Sequence, residues 1–172
     1  ALPDNNSEKW RIKADLYMTM IRSLYKGNKY VDEMEAAKDK ALKLGPDNPN
    51  ALLTAAKRPL FAEKEHGGDV PAALALIDKA LVINPNQERA HAFRGVAYEK
   101  LGHLDDAIVE WKKALELNPN SPLALDAYAS FLALRGHMDE AVSMQKRALE
   151  LDPLSASFRY DMGWIYWGAG RF

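Results

Sequence analysis

The sequence predicts an all-α protein built from antiparallel helix pairs, and two observations support this prediction. Along Ser7 to Lys26, apolar residues recur three and four positions apart, which is the spacing of an amphipathic helix. The second half of the chain also repeats itself with a period of about 34 residues, which is typical of stacked helical repeats. A shift by this period superposes the following pairs: Gly102 on Gly136, Ala107 on Ala141, Ala114 on Ala148 and Pro119 on Pro153. About nine helices are expected.

Composition limits the classes of function. The 172 residues are 48% hydrophobic and 27% charged, enough for a substantial core, and we expect a single domain. Lys+Arg of 23 against Asp+Glu of 24 gives a net charge of -1, which argues against general binding to nucleic acid or to an anionic membrane surface. No apolar run approaches the roughly 20 residues that span a bilayer, so membrane insertion is not expected.

The cysteine count and the first residues bear weakly on location and processing. The absence of cysteine excludes disulfides and thiol catalysis but fits the cytoplasm and the periplasm equally; we expect the cytoplasm. The chain begins ALPDNNSEKW, without methionine or a signal-peptide pattern. This predicts a processed product or a piece of a longer protein.

Residues 7–46 are expected to form a degenerate helical hairpin. Its first helix is predicted over Ser7 to Lys26 and ends at Gly27-Asn28, and its second runs from about Tyr30 to Leu44. Glycine at a helix end and proline directly after it stop the second helix at Gly45-Pro46. The apolar positions of the first helix are Trp10, Ala14, Tyr17, Met18, Ile21 and Tyr25. In the second, Met34 stands where a repeat would place alanine.

Residues 49–86 form an irregular repeat. The stretch from Pro46 to Pro85 exceeds the period by five residues, and the excess lies between Ala56 and Ala73. We expect a longer first helix, bent or ended early by Pro59, followed by an extended turn. Gly67-Gly68 supplies that turn, and Pro71 suits the first turn of the next helix. The extra segment is either a loop that contacts a partner or an ordinary tolerated insertion.

From residue 88 the pattern becomes regular, with repeats at 88–121 and 122–155 and the first half of another at 156–172. Turns are expected at Gly102-His103, Asn118-Pro119-Asn120, Gly136-His137 and Asp152-Pro153. The helices are predicted roughly at 88–101, 105–117, 122–135, 139–151 and 156–169. Small residues mark faces where helices must approach to about 8 to 10 Å. They are Gly95, Ala107, Ala114, Ala129, Ala141 and Ala148.

The unit from 88 to 121 resembles the tetratricopeptide repeat (TPR) family. The matching residues are Gly95, Tyr98, Gly102, Ala107, Trp111, Ala114 and Pro119. The resemblance implies a right-handed superhelical solenoid of antiparallel helix pairs. The run from Lys146 to Phe172 also looks like TPR arrays attached to bacterial transcriptional regulators and nucleotide cyclases.

No pattern of catalytic or cofactor-binding residues is present. Of the four histidines, His103 and His137 precede acidic residues, which could suggest metal or acid-base sites. They lie one period apart in the same turn of successive repeats, so a copied turn explains them better. There is no phosphate-binding glycine loop, no GxSxG, no HExxH and no cysteine cluster. We expect neither an enzyme nor a metal or cofactor site.

The resemblance implies a partner-binding groove lined by the first helix of each repeat. The expected contact residues are Arg89, Val96, Glu99, Lys100, Leu123, Asp126, Ser130, Leu134, Tyr160, Trp164 and Trp167. Ala92, Ala133, Ser157 and Gly168 occupy further positions of the same kind, and Asn50, Leu53 and Lys57 come from the irregular repeat. TPR domains that clamp acidic C-terminal tails use a lysine and an asparagine four residues apart. The corresponding pairs here lack that combination, so a carboxylate clamp is not expected.

The aromatic residues near the C-terminus have two explanations. Tyr160, Trp164 and Trp167 are either recognition anchors or part of a core. Helical spacing favours the core for Ile165 and Tyr166 and directs the two tryptophans toward the groove.

The predicted function is a protein-protein interaction module that binds a peptide or helix of a partner. The alternative is a regulatory or sensory segment of a multidomain bacterial transcriptional regulator or nucleotide cyclase. Because the last repeat ends after its first helix, its aromatic side chains predict a weak homodimer through the C-terminal helix. No nucleic-acid partner is expected.

Overall fold

The computed structural model describes residues 7–24, 31–62 and 67–170. Within these ranges every regular element is an α-helix. The described helices are α1 Ser7–Leu24, α2 Val31–Leu44, α3 Pro49–Phe61, α4 Val70–Ile83, α5 Glu88–Lys100, α6 Leu104–Leu117, α7 Pro122–Leu134, α8 Met138–Leu151 and α9 Ala156–Gly168. The predicted all-α class is confirmed.

The chain divides into two compact units, residues 1–85 and 86–172. This boundary falls between the irregular repeat and the first regular one. The single domain over residues 1–172 and its division into repeats stay predictions.

The first unit consists of two helix pairs, α1 with α2 and α3 with α4. Ala14, Ala37 and Ala41 are buried in the first pair, and the hydroxyl of Ser7 donates to the carbonyl of Ala41 at 2.8 Å. Helix α2 ends at Leu44, as predicted. The predicted stop of α1 at Gly27-Asn28, like Tyr25, lies outside the described residues, as do the side chains of Tyr17, Met18, Ile21 and Met34.

The five extra residues of the irregular repeat lie in the connection between α3 and α4. Helix α3 has 13 residues, the same length as α5 and α7, so the expected longer helix is wrong. The connection spans residues 62–69, whereas the α5–α6 connection spans only 101–103. Pro59 lies in the last turn of α3, and its carbonyl accepts the backbone N–H of Asp69 at 2.8 Å, which closes the connection. Pro71 lies in the first turn of α4, as predicted.

The second unit contains α5 to α9, whose boundaries agree with the predicted ones to within one residue. Gly102 and Gly136 explain this agreement at the ends of α5 and α7, since both adopt a left-handed conformation, with φ of 82° and 83°. In each turn the histidine that follows donates its backbone N–H to a carbonyl five residues earlier, at 2.9 Å. This is the hydrogen-bond pattern of a Schellman motif, which ends a helix at the glycine.

Small residues lie where the paired helices approach each other closely, as predicted from the repeat. Ala107, Ala114, Ala129, Ala141 and Ala148 have no exposed surface. At Gly95 the indole ring of Trp111 lies so close that an added Cβ would be 3.0 Å from Cε2 and nearer still to Nε1 and Cδ1. The absence of a side chain at residue 95 is therefore what allows α5 and the tryptophan of α6 to pack.

Helix α9 packs on α7 and α8 through one face. Ile165 lies in a core cluster with Ala129, Leu132, Ala133, Ala141 and Val142, and Tyr166 packs against that cluster while remaining partly exposed. Phe158 belongs to a second cluster with Leu125 and Ala148. These contacts leave the opposite side of α9 outside the core.

Candidate partner-binding face

The predicted contact residues of the second unit come from equivalent positions of α5, α7 and α9. Six of them are exposed: Glu99, Lys100, Leu134, Tyr160, Trp164 and Trp167. Three are partly buried: Arg89, Leu123 and Ser130. Val96 and Asp126 are buried, with 6% and 8% of their surface exposed, so they offer a partner less surface than the sequence suggests.

The irregular repeat contributes less than expected. Leu53 is fully buried and belongs to the core of the first unit, which corrects the expectation that it contacts a partner. Asn50 is exposed and Lys57 is partly buried.

Three large side chains project from the side of α9 opposite its core face. Tyr160, Trp164 and Trp167 recur at helical spacing and are 76%, 40% and 69% exposed. We call these three residues the α9 aromatic face. Since one such side chain has about 150 to 250 Å² of surface, together they expose roughly 300 to 450 Å². Apolar patches of this size on a protein surface often have a binding role.

A buried carboxyl group lies between α7 and α9. Gln145 of α8, which has no exposed surface, donates its Nε2 to Asp126 Oδ1 at 2.5 Å and to the carbonyl of Phe158 at 2.9 Å. One amide thereby joins α7, α8 and α9. Among the described residues, Gln145 Oε1 has no hydrogen-bond partner.

Burial raises the pKa of Asp126 to about 7, and the negative charges of Asp161 and Glu99 act in the same direction. The hydrogen bond from Gln145 opposes this shift. A carboxyl group with this pKa is close to half ionised at neutral pH, which is unusual for aspartate.

Two more carboxyl groups, on α5 and α9, complete a cluster around Asp126. Partial desolvation raises the pKa of Glu99, whose side chain remains exposed in part, and that of Asp161. Lys100 opposes the shift at Glu99, and the negative charge of Asp161 adds to it. We call Glu99, Asp126 and Asp161 the carboxylate cluster. Carboxyl groups that disfavour one another's ionisation in this way favour the approach of a cation.

Neither Gln145 nor Asp161 was predicted from the sequence. A signal for Gln145 was available, because it stands one period after Trp111, at a position where the preceding repeat uses a fully buried indole. A polar residue at such a position needs a buried partner. Its partner Asp126 stands one period after Ala92, so one repeat places alanine and tryptophan where the next places aspartate and glutamine.

The described histidines lie in two equivalent turns and in one buried ion pair. His103 and His137 precede α6 and α8 and lie outside the core, as expected for a copied turn, and His66 lies outside the described residues. His91 is buried, with Nδ1 2.7 Å from Glu110 Oε2, and Arg94 donates to the other oxygen of Glu110 at 2.8 Å. This cluster joins α5 to α6. Within the described ranges, no group of three or more His, Asp or Glu side chains could hold a metal ion.

None of the described helices combines the length and apolarity needed to cross a membrane.

Comparison with known proteins identifies the repeat and the fold. Residues 88–121 match the tetratricopeptide repeat family model. The crystal structure of a thermophilic TPR protein from Thermus thermophilus is 21% identical, with a TM-score of 0.59 over 93% of this chain and 92% of that one. No curated protein sequence matches the chain.

Two further solved structures are similar. PilW, described as a widely conserved type IV pilus biogenesis factor, has a TM-score of 0.66 at 21% identity, over 97% of this chain and 72% of that one. YrrB, described as a TPR protein with an unusual peptide-binding site, has a TM-score of 0.54 at 24% identity, over 97% and 79%. At these identities the similarity establishes the fold, a helical solenoid of the TPR type.

Proposed function

We propose that this chain, which carries a tetratricopeptide repeat at residues 88–121 and has the TPR fold, is a protein-interaction module. It holds a peptide or helix of a partner protein on the side of the second unit formed by α5, α7 and α9. The exposure of the α9 aromatic face is the observation that carries this proposal. Burying a few hundred square ångströms of aromatic surface offsets much of the entropy lost on association.

The principal contacts in this proposal are Trp164, Trp167, Leu134 and Arg89. Aromatic side chains dominate the energetics of most protein interfaces, so the two tryptophans act as anchors. Leu134, at the end of α7, is 67% exposed and adds apolar surface. The peptide-binding site noted for YrrB gives a precedent within the same fold. The proposal includes no catalytic activity, no cofactor and no nucleic-acid partner.

Selection of random peptides displayed on phage tests the proposal. Peptides selected on the chain should bind at least about tenfold more weakly to the variants Trp164→Ala and Trp167→Ala, since loss of a hot-spot residue typically costs about 2 kcal/mol or more. Leu154→Ala is the matched control, because Leu154 is 83% exposed in the α8–α9 connection and is not part of the α9 aromatic face. Binding that survives both tryptophan changes would remove these residues as anchors.

The regulatory alternative stays a prediction, and the gene sequence flanking residues 1–172 tests it. A DNA-binding or cyclase domain encoded there would favour it. The cytoplasmic location also stays a prediction.

A further inference from the structure

The α9 aromatic face and the carboxylate cluster adjoin each other along one helix. Asp161 directly follows Tyr160 and precedes Trp164 by three residues, so a ligand that covers the tryptophan lies within reach of that carboxyl group. Asp126 is held near the same helix because Gln145 bridges it to the carbonyl of Phe158. Glu99 comes from α5, which packs on α7.

Negative charge predominates in this region. Asp161 and Glu99 both disfavour the ionised form of Asp126, whose hydrogen-bond donor, Gln145, is neutral. Two cations belong to the same side of the unit: Lys100 follows Glu99 in the chain and lowers its pKa, and Arg89 lies in the first turn of α5, at the other end of that helix from Glu99. Charge complementarity therefore favours a positively charged ligand.

The carboxylate cluster and the α9 aromatic face together favour a basic side chain over a metal ion. A metal ion is disfavoured, because the described carboxyl groups do not form a group that could hold one. A lysine or arginine side chain suits the surface better, since its apolar stem packs on an indole while its charged end reaches the carboxylates. Acidic peptides and nucleic acids meet repulsion at the same place.

We propose that the partner segment is basic, with a lysine or arginine against the carboxylate cluster and an apolar side chain on the α9 aromatic face. This inference rests on the proposed function and adds the chemistry of the partner. The fold itself does not require the cluster, because the preceding repeat has Ala92 where this one has Asp126.

Three synthetic helical peptides test the inference. They share the same leucine positions and carry lysine, glutamine or glutamate at every polar position, and fluorescence anisotropy measures their binding to the full chain. The lysine peptide should bind about tenfold more tightly than the glutamine peptide, and the glutamate peptide should bind most weakly. The double variant Asp126→Asn, Asp161→Asn should reduce the preference for lysine severalfold, because Glu99 is then the one carboxyl group of the cluster that remains.

Two further variants separate local charge from general charge. Asp105→Asn removes the same charge from the exposed first turn of α6, outside the cluster, and should leave all three affinities unchanged. Lys100→Ala removes the cation beside Glu99 and should strengthen binding of the lysine peptide severalfold. An acidic partner would respond to Lys100→Ala in the opposite direction.

The pH dependence provides an independent measurement. Because Asp126 has a pKa of about 7, raised by burial and by Asp161 and Glu99, it loses its proton as pH rises from 6 to 8. Affinity for the lysine peptide should therefore increase over this range, and Asp126→Asn should flatten the increase. On the other helices packed on α7, Gln145 of α8 is neutral and Lys112 of α6 lies over the Tyr128 ring.

The outcomes separate this inference from the proposed function. If lysine and glutamine peptides bind equally and both require Trp164, the inference is wrong and the proposed function stands. If no peptide binds, or if binding is indifferent to Trp164→Ala and Trp167→Ala, both are wrong. If the chain forms a dimer and none of the peptides dissociates it, the inference of a basic partner segment is wrong, and the α9 aromatic face binds a second copy of the chain.

Discussion

Gly95 and Gly163 occupy the same position of two repeats, two periods apart, yet alanine should have opposite effects at the two sites. In a helix interior, glycine is less favourable than alanine by about 0.5 to 1 kcal/mol, so a change to alanine is ordinarily stabilising. Within the described chain, nothing lies within 4 Å of a Cβ built at Gly163. Gly163→Ala should therefore raise the free energy of unfolding by about 0.5 to 1 kcal/mol.

At Gly95 the steric term outweighs the helix term. The added methyl group would meet the ring of Trp111, which is fully buried and cannot swing out without disturbing its neighbours. Overpacking of this kind costs about 1 to 3 kcal/mol. After the gain in helix propensity, Gly95→Ala should lower the free energy of unfolding by about 1 kcal/mol, and Gly95→Leu by up to about 3 kcal/mol.

Urea unfolding followed by circular dichroism measures the free energy of unfolding of both variants. Because both substitutions replace glycine by alanine within a helix, the difference between them reports the surroundings of the two sites. The difference in the free energy of unfolding between Gly95→Ala and Gly163→Ala should be about 1.5 to 2 kcal/mol. Near-ultraviolet circular dichroism should also change for Gly95→Ala, since the Trp111 ring must move. Two alanine variants of equal stability would refute the close packing of Trp111 against α5.

The same packing and electrostatics lead to three other expected outcomes. Ala141→Leu should destabilise the protein by about 1 to 3 kcal/mol, measured by urea unfolding, because residue 141 is fully buried between helices; stability equal to that of the parent would contradict the repeat register. The pKa of Asp126 is about 7 in the folded protein, against an ordinary value of 3.8. Between these two pH values the folded protein binds more protons than the unfolded protein. Ionisation of Asp126 therefore lowers the free energy of unfolding as pH rises toward 7. Asp126→Asn should therefore be roughly 2 to 4 kcal/mol more stable than the parent at pH 8, with the two nearly equal at pH 4; a constant difference across that range in thermal unfolding would argue against a buried carboxyl. Finally, we expect weak self-association through α9 at micromolar to high-micromolar concentration, measured by analytical ultracentrifugation and weakened by Trp167→Ala; a strict monomer at several hundred micromolar would contradict it.

The ends of the regular helices were predictable because their signals are local. Gly102 and Gly136 stop helices through a left-handed conformation that glycine adopts without steric cost, and Pro122 starts α7 at a position that needs no backbone N–H donor. The irregular repeat shows the limit of local signals. Its length revealed five extra residues, but a proline near a helix end is compatible with either a longer helix or a longer connection.

The candidate face was predictable only in part. The positions of Trp164 and Trp167 follow from the repeat and from helical spacing, and the structure places both outside the core. Val96 and Asp126 come from positions of the same kind but are buried. The exposure of a side chain depends on which neighbouring helices cover it, and the residue pattern along one helix does not specify how its neighbours pack.

The sequence alone determined the repeat period, the all-α class, the turns and the side of α9 that carries the tryptophans, because each of these depends on residues close together in the chain or on their copies. The tertiary structure decided that Gln145 of α8 meets Asp126 of α7. It also decided that burial, together with carboxyl groups on α9 and α5, raises the pKa of Asp126. Finally, it placed one of two equivalent glycines, Gly95, against a tryptophan ring and left the space around the other, Gly163, open. These features depend on distances between side chains of different helices, and such distances are set only when the helices pack.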